Sequence, residues 1–366
     1  MQPTESLQPP EPGSVRLAAV GDLLFTTPTV PGRAARGLEA LGADVRELLG
    51  GCHVVLANLE ATLPGGEKVP TEPRVIATEE QIRSLSGAGI GVVTLANNHA
   101  FDCMDEGFQR LRALLDELGI VHFGAGGDRA EALQPAVVEI GGQRLAFLGT
   151  VDPSTGPNRF ASPTASGVDR LDIEEFSRAI QEAKRSADHV IVSPHWGEER
   201  FRVPAPRQVE EARAFVDAGA ALVLGHHPHV LQGMERYRGT PIAYSLGNFL
   251  TNHVYWDSGA FLTWSRFERT GCIVVADLDA SGLRQVRQVP TYDDGETIRL
   301  ETSGWGERCL RTANRRVARG VTPEQYRRER FRVERLEPIL RQLRWARLKK
   351  IRPGHFTKAA RLLLGR

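Results

Sequence analysis

The sequence has few cysteines and no long apolar run, and both scarcities limit the class of protein that it can form. Its four cysteines lie far apart without a Cys-x-x-Cys pair, which supports neither a zinc knuckle nor a small disulfide framework. No segment approaches the roughly 18 consecutive apolar residues of a membrane-spanning helix. Residues 1–13, rich in Pro, Gln and Ser, lack the apolar core of a secretory signal. We therefore expect a disordered tail, a reducing compartment and a cytoplasmic protein.

An excess of charge of one sign is also missing. The 366 residues carry a net charge of +1, with 41% hydrophobic and 25% charged residues. These values are ordinary for a soluble globular enzyme and give no global reason to expect nucleic acid or an acidic surface as a partner. The length suits one large α/β domain or two ordinary ones.

Short apolar runs alternate with helical patterns along most of the chain. Runs typical of buried strands occupy 15–22, 53–60 and 91–99, and the clearest amphipathic helix spans 102–118. A glycine pair within 136–150 predicts a hairpin. This alternation predicts an α/β layer protein.

Polar side chains end six of the apolar runs. The six ends are Gly21-Asp22, Asn58-Leu59-Glu60, Asn97-Asn98-His99, His195-Trp196-Gly197-Glu198, His227-Pro228-His229 and Ser245-Leu246-Gly247-Asn248. Ligands and catalytic groups of open α/β sheets collect beyond the carboxyl ends of the strands. We therefore expect the six ends to form one site.

The residue types at these ends suit a divalent metal. Carboxylate, imidazole and amide groups can bind Zn, Mn, Fe or Mg, and no cysteine joins them. Taken singly, each residue has a simpler explanation: Asp22 could cap a helix, Asn98 and Asn248 could stabilise turns, and His195 could be a structural histidine. The His-Pro-His segment can direct both rings to one centre only if the backbone turns there.

The ordered segments AVGDLLF, ANLEATL, LANNHAFD, SPHWGEE, GHHPHVLQG and YSLGNFL resemble the CapA family of poly-γ-glutamate capsule biosynthesis proteins, within the metallophosphatase (calcineurin-like phosphoesterase) superfamily. The resemblance spans roughly residues 15–290. It implies a four-layer αββα sandwich, which we place at 14–295, with a metal centre between the loop ends of the two sheets. A basic and mostly helical extension is expected over 296–366.

Carried over to this sequence, the resemblance implies metal ligands and catalytic residues. The implied ligands are Asp22, Glu60, Asn98, His195, His227 and His229, with Mn, Fe, Zn or Mg as the ion. His99 would contact the reacting phosphoryl or tetrahedral centre as a cation or acid, with Asn98 and His195 as further catalytic residues. Leu24 stands where the superfamily has a histidine, and Asn58-Leu59-Glu60 replaces its Gly-Asp motif. CapA-like proteins share these changes. Because one metal position has thereby lost a ligand, we expect one tight metal site and a second, weaker one.

Six residues are candidates for substrate binding: Asn58, Glu198, His226, Asn248, His253 and Trp256. His226 ranks below His227 as a metal ligand because His-Pro-His keeps the His-x-His spacing. The loops 62–74 and 252–269 follow the second and last motifs and should hang over the site. Aromatic residues of the second loop could stack on a substrate, or could simply pack that loop onto the domain. The acidic residues after His195 could likewise read substrate charge or face solvent.

The segment 341–366 has nine Lys or Arg and no Asp or Glu, with apolar residues interleaved. Basic amphipathic segments bind anionic membrane surfaces or acidic partners. Alternatively, its Leu and Trp side chains dock on the catalytic domain while the basic groups face water. Nucleic acid is not expected, since no recognition motif accompanies the charge.

Together these features predict a cytoplasmic CapA-like metal-dependent hydrolase of a phosphoester or a γ-glutamyl-type amide, with a small molecule or a peptide as substrate. A divalent ion lowers the pKa of its water to about 7 and can serve attack on either kind of centre. Two other hypotheses remain open. One is an enzyme that forms or rearranges amide bonds on a peptide or metabolite, and the other is a non-catalytic scaffold for a polymer synthase.

Overall fold

The computed structural model describes residues 10–11, 13–27, 36–156 and 159–342. Of the expected tail over 1–13, residues 1–9 and 12 lie outside these ranges, as does the basic segment 341–366 apart from the backbone of its first two residues. The expectations for both segments stay predictions.

Strands and helices alternate along the described chain. The strands are β1 Val15–Leu24, β2 Val54–Leu59, β3 Val92–Thr94, β4 Val121–Phe123, β5 Ala125–Gly126, β6 Ala136–Ile140, β7 Gln143–Val151, β8 Gly167–Val168, β9 His189–His195, β10 Leu222–Leu224, β11 Met234–Tyr237, β12 Thr240–Ala243, β13 Asn248–Thr251, β14 Val254–Tyr255, β15 Phe261–Leu262, β16 Thr270–Asp279, β17 Gly282–Asp293 and β18 Ile298–Leu300. The helices are α1 Ala43–Gly50, α2 Glu79–Gly87, α3 Met104–Glu117, α4 Arg129–Leu133, α5 Ile173–Ser186, α6 Pro206–Ala218, α7 Trp305–Ala318, α8 Pro323–Phe331 and α9 Glu337–Gln342. Short 3₁₀ turns occupy Leu38–Ala40 and Pro153–Thr155, and a π turn, Arg332–Leu336, joins α8 to α9.

The larger sheet is built around β1. Its strand order is β18-β17-β16-β1-β2-β3-β4, and β13 also pairs with β1. β1 runs parallel to β2 and β13 and antiparallel to β16. Because β1 pairs with three strands, its carboxyl end at Asp22 is surrounded by backbone from distant parts of the chain.

The smaller sheet has the order β11-β12-β10-β9-β7-β6. Its four central strands are parallel, and both edge strands are antiparallel to their neighbours. The β6–β7 hairpin turns at Gly141-Gly142, as the sequence predicts. The parallel centre therefore sends the carboxyl ends of β9 and β10 to the same edge of the sheet.

Side-chain alternation along the strands shows how the layers are stacked. On β7, Leu145 and Phe147 join the apolar cluster between the two sheets, whereas Ala146 and Leu148 face α5 and α6. On β1, Leu17 points to the other sheet, and the opposite face of the larger sheet is covered by α1, α2 and α3. The predicted four-layer αββα sandwich is confirmed.

The covering helices begin at side-chain caps. Asp172 caps α5 by accepting the Glu175 backbone N–H at 3.0 Å, and Thr78 forms a capping box with Gln81 at the start of α2. α5 then buries residues at spacings of three and four against the smaller sheet, so its polar face is left to solvent.

Glycines allow the strand ends to approach each other closely. A Cβ atom on Gly21 would lie 2.0 Å from the carbonyl oxygen of Gly247, and that oxygen also accepts the Asp22 backbone N–H at 2.9 Å. A Cβ atom on Gly225 would lie 2.1 Å from the carbonyl oxygen of Tyr244. Only glycine fits where these backbones meet beside the polar strand ends.

Helices follow the sandwich in sequence, which confirms the expected helical character of the extension as far as residue 342, where the described chain ends. β18 extends the larger sheet to Leu300, and α7 packs on β11 and β17. Leu310 and Val317 of α7 are buried in the apolar clusters of the sandwich. No helix in the described part of the chain combines the length and apolarity needed to cross a membrane.

Candidate metal centre

Both sheets deliver polar strand ends to one buried place. In the larger sheet, Asp22 stands opposite Asn58 on β2 and opposite Asn248 on β13. In the smaller sheet, His195 ends β9 and forms a bridge to His226 beyond β10. Side chains that are far apart in sequence therefore meet between the carboxyl ends of the two sheets.

The His-Pro-His segment makes the turn that two converging rings require. His227 has a φ of 95° and His229 a φ of 55°, both in the left-handed region that residues other than glycine seldom adopt. The Arg200 backbone N–H donates to the Pro228 carbonyl oxygen at 2.7 Å and holds the turn from outside. This backbone lets both rings reach the same centre.

Glu60, His227 and His229 form the compact part of the centre. One potential ligand atom from each lies within 4.8 Å of the other two, and all three residues are buried. Glu60 Oε1 lies 3.6 Å from His229 Nε2 and 3.8 Å from His195 Nε2. Ligand atoms around a tetrahedral zinc ion are about 3.3 Å apart, so the 3.6 Å between Glu60 and His229 is close to the spacing that one ion needs.

Asp22 is fully buried and lies against two histidines. Its Oδ1 atom is 2.9 Å from His226 Nδ1, and its Oδ2 atom is 3.2 Å from His229 Nδ1. Burial alone would raise the pKa of Asp22, but the hydrogen bonds and charges of both rings hold that pKa well below its usual range. Asp22 therefore supplies a permanent negative charge to the centre.

Asn58 connects the two carboxylates from inside the protein. Its Nδ2 atom donates to Asp22 Oδ1 at 2.9 Å and to Glu60 Oε2 at 3.2 Å, and its Oδ1 atom accepts from Asn97 at 3.2 Å. The residue is completely buried. The structure thus places Asn58 where it positions the carboxylates, behind them rather than on an open surface.

Asn248 and His226 also lie inside the centre. Asn248 Oδ1 is 2.9 Å from His229 Nδ1, and its Nδ2 atom donates to the Glu268 carbonyl oxygen at 3.0 Å. His226 is bonded to Asp22 and is 1% exposed. These contacts orient His229 and Asp22, so both residues support the ligand candidates.

The half-buried residues Asn98 and His99 lie on the more open side. Asn98 Oδ1 is 2.8 Å from His195 Nε2, and His99 Nδ1 is 2.8 Å from Asp102 Oδ2. Burial alone would lower the pKa of His99, but the Asp102 carboxylate outweighs it and raises the pKa overall. Asp102, which the sequence did not single out, therefore fixes the ring and favours its protonated form.

Protonation within the compact trio is set by burial and by mutual charge. Burial raises the pKa of Glu60 to about 8. Burial opposes the charge of His229 as well, but Glu60 and Asp22 beside it raise its pKa to about 10. Burial lowers the pKa of His227 to about 4, and burial also lowers that of His195 well below its usual range. Neutral His227 and His195 are in the form that binds metal.

Several donor atoms of the centre lack a hydrogen-bond partner among the described residues. Glu60 Oε1, His226 Nε2 and His227 Nδ1 are all buried and unpartnered. An unpaired polar group in a protein interior costs about 1–3 kcal/mol. Two carboxyl groups, the neutral imidazoles of His195 and His227 and unpaired polar atoms in one buried place fit a divalent cation, since such an ion would displace the Glu60 proton and satisfy these groups together.

The acidic pair after His195 divides between two roles. Glu198 accepts from the Tyr326 hydroxyl at 2.9 Å and forms an ion pair with Arg330, so it joins α8 to the sandwich. Glu199 is exposed. The surrounding protein partly desolvates its carboxylate, yet charges that include those of His229 and His227 lower its pKa. Glu199, rather than Glu198, is thus electrostatically coupled to the centre.

The loop 252–269 forms part of the wall of the centre. The Trp264 ring lies 5.7 Å from that of His229, and Trp264 Nε1 donates to the Asn252 carbonyl oxygen at 2.6 Å. Trp264 is buried, whereas His253 and Trp256 are half-buried. Trp264 therefore packs the loop onto the domain, while the exposed parts of His253 and Trp256 are accessible to a ligand.

Known proteins are similar to this chain in sequence. The family described as "Bacterial capsule synthesis protein PGA_cap" matches residues 16–253. The PGA biosynthesis protein CapA of Bacillus subtilis is 33% identical over 74% of this chain and 70% of its own length. The capsule biosynthesis protein CapA of Bacillus anthracis is 35% identical over 50% of this chain and 46% of its own. The chain therefore spans less than half of the second relative.

Solved structures show a more distant likeness. The NAD nucleotidase of Haemophilus influenzae aligns with 82% of this chain and 55% of its own, at 14% identity and a TM-score of 0.46.

Proposed function

The chain belongs to the bacterial capsule synthesis protein PGA_cap family, and from that premise we propose that it is a divalent-metal-dependent hydrolase of a phosphoester or a γ-glutamyl-type amide. The observation that carries the proposal is the buried trio Glu60, His227 and His229, with the Asp22 anion beside it. A divalent ion held by this trio would supply an acidified water and polarise the bond to be broken.

The protein side chains would do the remaining work. Asp22, held by His226 and Asn58, keeps the centre negative and so favours a cation. Asn98 and His195 orient each other at 2.8 Å on the open side of the centre. His99, which Asp102 holds at 2.8 Å, would donate a proton to the leaving oxygen or nitrogen. Cleavage of a phosphoester and cleavage of an amide both need a proton on the leaving group, so the same residues would serve either reaction.

The relatives suggest the kind of substrate. They are named for biosynthesis of PGA and of capsule, which associates the family with a polymer. We infer that the bond cleaved is a γ-glutamyl-type amide or a phosphoester in a molecule that takes part in the biosynthesis of such a polymer. The cytoplasmic location and an anionic partner for 341–366 remain part of the same proposal.

The first experiment combines metal analysis with a substrate screen. Wild-type protein, Glu60→Gln and Glu198→Gln would be purified together and analysed by inductively coupled plasma mass spectrometry for Mn, Fe, Zn and Mg. The same samples would be assayed with p-nitrophenyl phosphate and with γ-glutamyl-p-nitroanilide. Glu198→Gln is the matched control, because Glu198 bonds to α8 and not to the trio.

We expect wild type and Glu198→Gln to carry metal and to hydrolyse one of the two substrates, and Glu60→Gln to lose both properties. Wild-type protein that stays metal-free after incubation with each ion would contradict the hydrolase and favour the scaffold hypothesis. Metal without hydrolysis, accompanied by joined or cyclised peptide products, would favour the amide-forming enzyme.

A further inference from the structure

A second cavity lies beside the sandwich, under the C-terminal helix α7. Its volume is about 290 Å³, and it is lined by one face of α7, by the loop that follows His229 and by residues near Glu268. The α7 positions that line it include Trp305, Arg308 and Arg316. These positions recur at the spacing of a single helix face, so α7 turns one continuous stripe toward the cavity.

The cavity is strongly cationic. Arg202, Arg308 and Arg316 line it, and none of the described lining residues is acidic. The side chains of Arg308 and Arg316 form no hydrogen bond or salt bridge with a described residue. Two carboxylates of the adjoining helical segment, Glu329 and Glu337, are already bonded to Arg332. Glu337 also pairs with Arg202 at 3.5 Å. The charges of Arg308 and Arg316 are therefore the ones left without a matching anion among the described residues.

Arg202, although paired with Glu337, keeps one donor atom unused. Its guanidinium lies 3.4 Å above the Phe267 ring, and its Nε atom is buried without a hydrogen-bond partner among the described residues. Burial and the nearby charges of Arg332 and Arg316 lower its pKa to about 10, although Glu337 acts in the opposite direction. An additional anion would accept a hydrogen bond and reduce the repulsion between like charges.

The size and lining of the cavity limit the ligand. Ligand pockets for drug-sized molecules are usually about 300–1,000 Å³, so this cavity is at the lower end of the range. Its apolar part includes Phe267, Trp305 and Leu231. Guanidinium groups bind carboxylate and phosphate in pairs of parallel hydrogen bonds, and aromatic surface suits an organic body.

We propose that this cavity is a binding site for a small organic anion that carries carboxylate or phosphoryl groups. It is separate from the metal centre and does not depend on the proposed hydrolase activity. Leu231 lines it only two residues after His229, so a bound anion would sit directly behind the turn that places the histidines.

Isothermal titration calorimetry on the full chain tests this site. Wild type would be titrated with inorganic phosphate and with glutarate at low chloride, which separates the phosphoryl from the carboxylate source. The test variant is Arg308→Gln with Arg316→Gln. The matched control is Arg311→Gln with Arg315→Gln, which removes the same charge from α7 at exposed positions outside the cavity. Glu60→Gln separates anion binding in the cavity from binding at the metal centre.

We expect at least one anion to bind wild type, the control and Glu60→Gln with similar affinity, and to bind the test variant about tenfold more weakly or worse. The inference is overturned if neither anion binds wild type. It is equally overturned if the control loses as much affinity for the anion as the test variant does, because the anion would then be attracted by the overall positive charge of α7 and not by the cavity. Loss of binding in Glu60→Gln alone would assign the anion to the metal centre and also reject the cavity.

Discussion

The two outer histidines of the His-Pro-His turn, His227 and His229, both have positive φ angles. Backbone of this kind costs about 1–3 kcal/mol at each residue and persists only where the surroundings enforce it. Here the hydrogen bond from Arg200 to Pro228 and the contacts of His229 with Asp22 and Asn248 enforce it. The imidazoles are thus positioned by the fold before any ligand arrives.

The protonation of the trio predicts how metal affinity depends on pH. The pKa values of Glu60 and His229, about 8 and about 10, both lie above neutrality, so each group holds a proton that a cation must displace. Raising the pH removes this competition. Between pH 6 and pH 8, we expect the apparent Kd for Zn²⁺ to fall by about tenfold per pH unit for each proton released.

Calorimetric titrations in buffers of different ionisation enthalpy would count the released protons. A Kd that stays constant over this pH range, with no proton release, would contradict the assignment of Glu60 and His229 to the metal site. Glu198→Gln serves as the control and should follow the wild-type curve.

The placement of His99 predicts a catalytic effect without loss of metal. Glutamine in its place keeps a polar side chain but cannot donate a proton as an acid, so we expect His99→Gln to lower kcat by about 10²–10⁴-fold. Metal content should stay at the wild-type level. His122→Gln is the matched control, because His122 pairs with Asp116 at 3.1 Å away from the centre.

The pH profile of wild type provides a second check on His99. A general acid works while it is protonated, and Asp102 raises the pKa of His99. Activity should therefore persist above the usual histidine range and then fall as the pH rises further. A variant His99→Gln that keeps the wild-type kcat would exclude this role.

Individual residues show what the sequence could and could not predict. Asp22, Glu60, His195, His227 and His229 were recognisable because each ends an apolar strand. The different placements of Glu198 and Glu199 were not, since neighbouring residues on a loop point in directions that only the backbone decides. Asp102 was also missed, because a carboxylate at the start of a helix is usually a capping group.

At the level of elements, Gly21 decides how closely β1 and β13 approach. An alanine Cβ would lie 2.0 Å from the Gly247 carbonyl oxygen, so the two strands would have to move apart beside Asp22. We expect Gly21→Ala to reduce the free energy of unfolding by about 1–3 kcal/mol or more and to weaken metal binding.

Gly87→Ala is the control for this substitution. Gly87 ends α2 and is exposed, and a Cβ atom added there would meet no other atom within 4 Å. Alanine at this position should therefore stabilise the protein by about 0.5–1 kcal/mol. Differential scanning calorimetry would compare the Tm of each variant with that of the wild type. Equal Tm values for Gly21→Ala and wild type would show that the strand ends tolerate separation.

Elements formed mainly by local sequence were predicted well. The helix predicted over 102–118 is α3, Met104–Glu117, which buries apolar residues at helical spacing, and the β6–β7 hairpin turns at its glycine pair. The pairing of β1 with β13 and β16 could not be read from the sequence, because apolar strands of similar composition can pair in many orders. The predicted strand over 91–99 ends already at Thr94, since the chain beyond it turns to bring Asn98 and His99 to the centre.

At the level of the whole molecule, metal should stabilise the fold. The two sheets meet at a centre with buried unpartnered donors, and an ion that binds only the folded state adds RT ln(1 + [L]/Kd). At a metal concentration about 100 times Kd, this contribution is about 2.7 kcal/mol. We expect chelation to lower the Tm of wild type by several degrees.

Thermal unfolding with EDTA and with excess Zn²⁺ or Mn²⁺ measures this effect. Glu60→Gln, which lacks one ligand of the trio, should show a much smaller difference between the two conditions. An identical Tm for wild type with chelator and with each metal would contradict a folded-state metal site.

The central position of β1 also determines when the protein can fold during synthesis. Arg16 on β1 forms a buried ion pair with Asp277 on β16, and the two residues are 261 positions apart in the chain. At about 5–20 residues per second, a ribosome needs on the order of 10–50 s to bridge that interval. Until β16 emerges from the ribosome, one edge of β1 has no strand to pair with, and the apolar side chains of β1 are incompletely buried. The nascent chain is therefore expected to depend on chaperones over this interval, and the proposed metal centre could take up an ion only after most of the chain has been released.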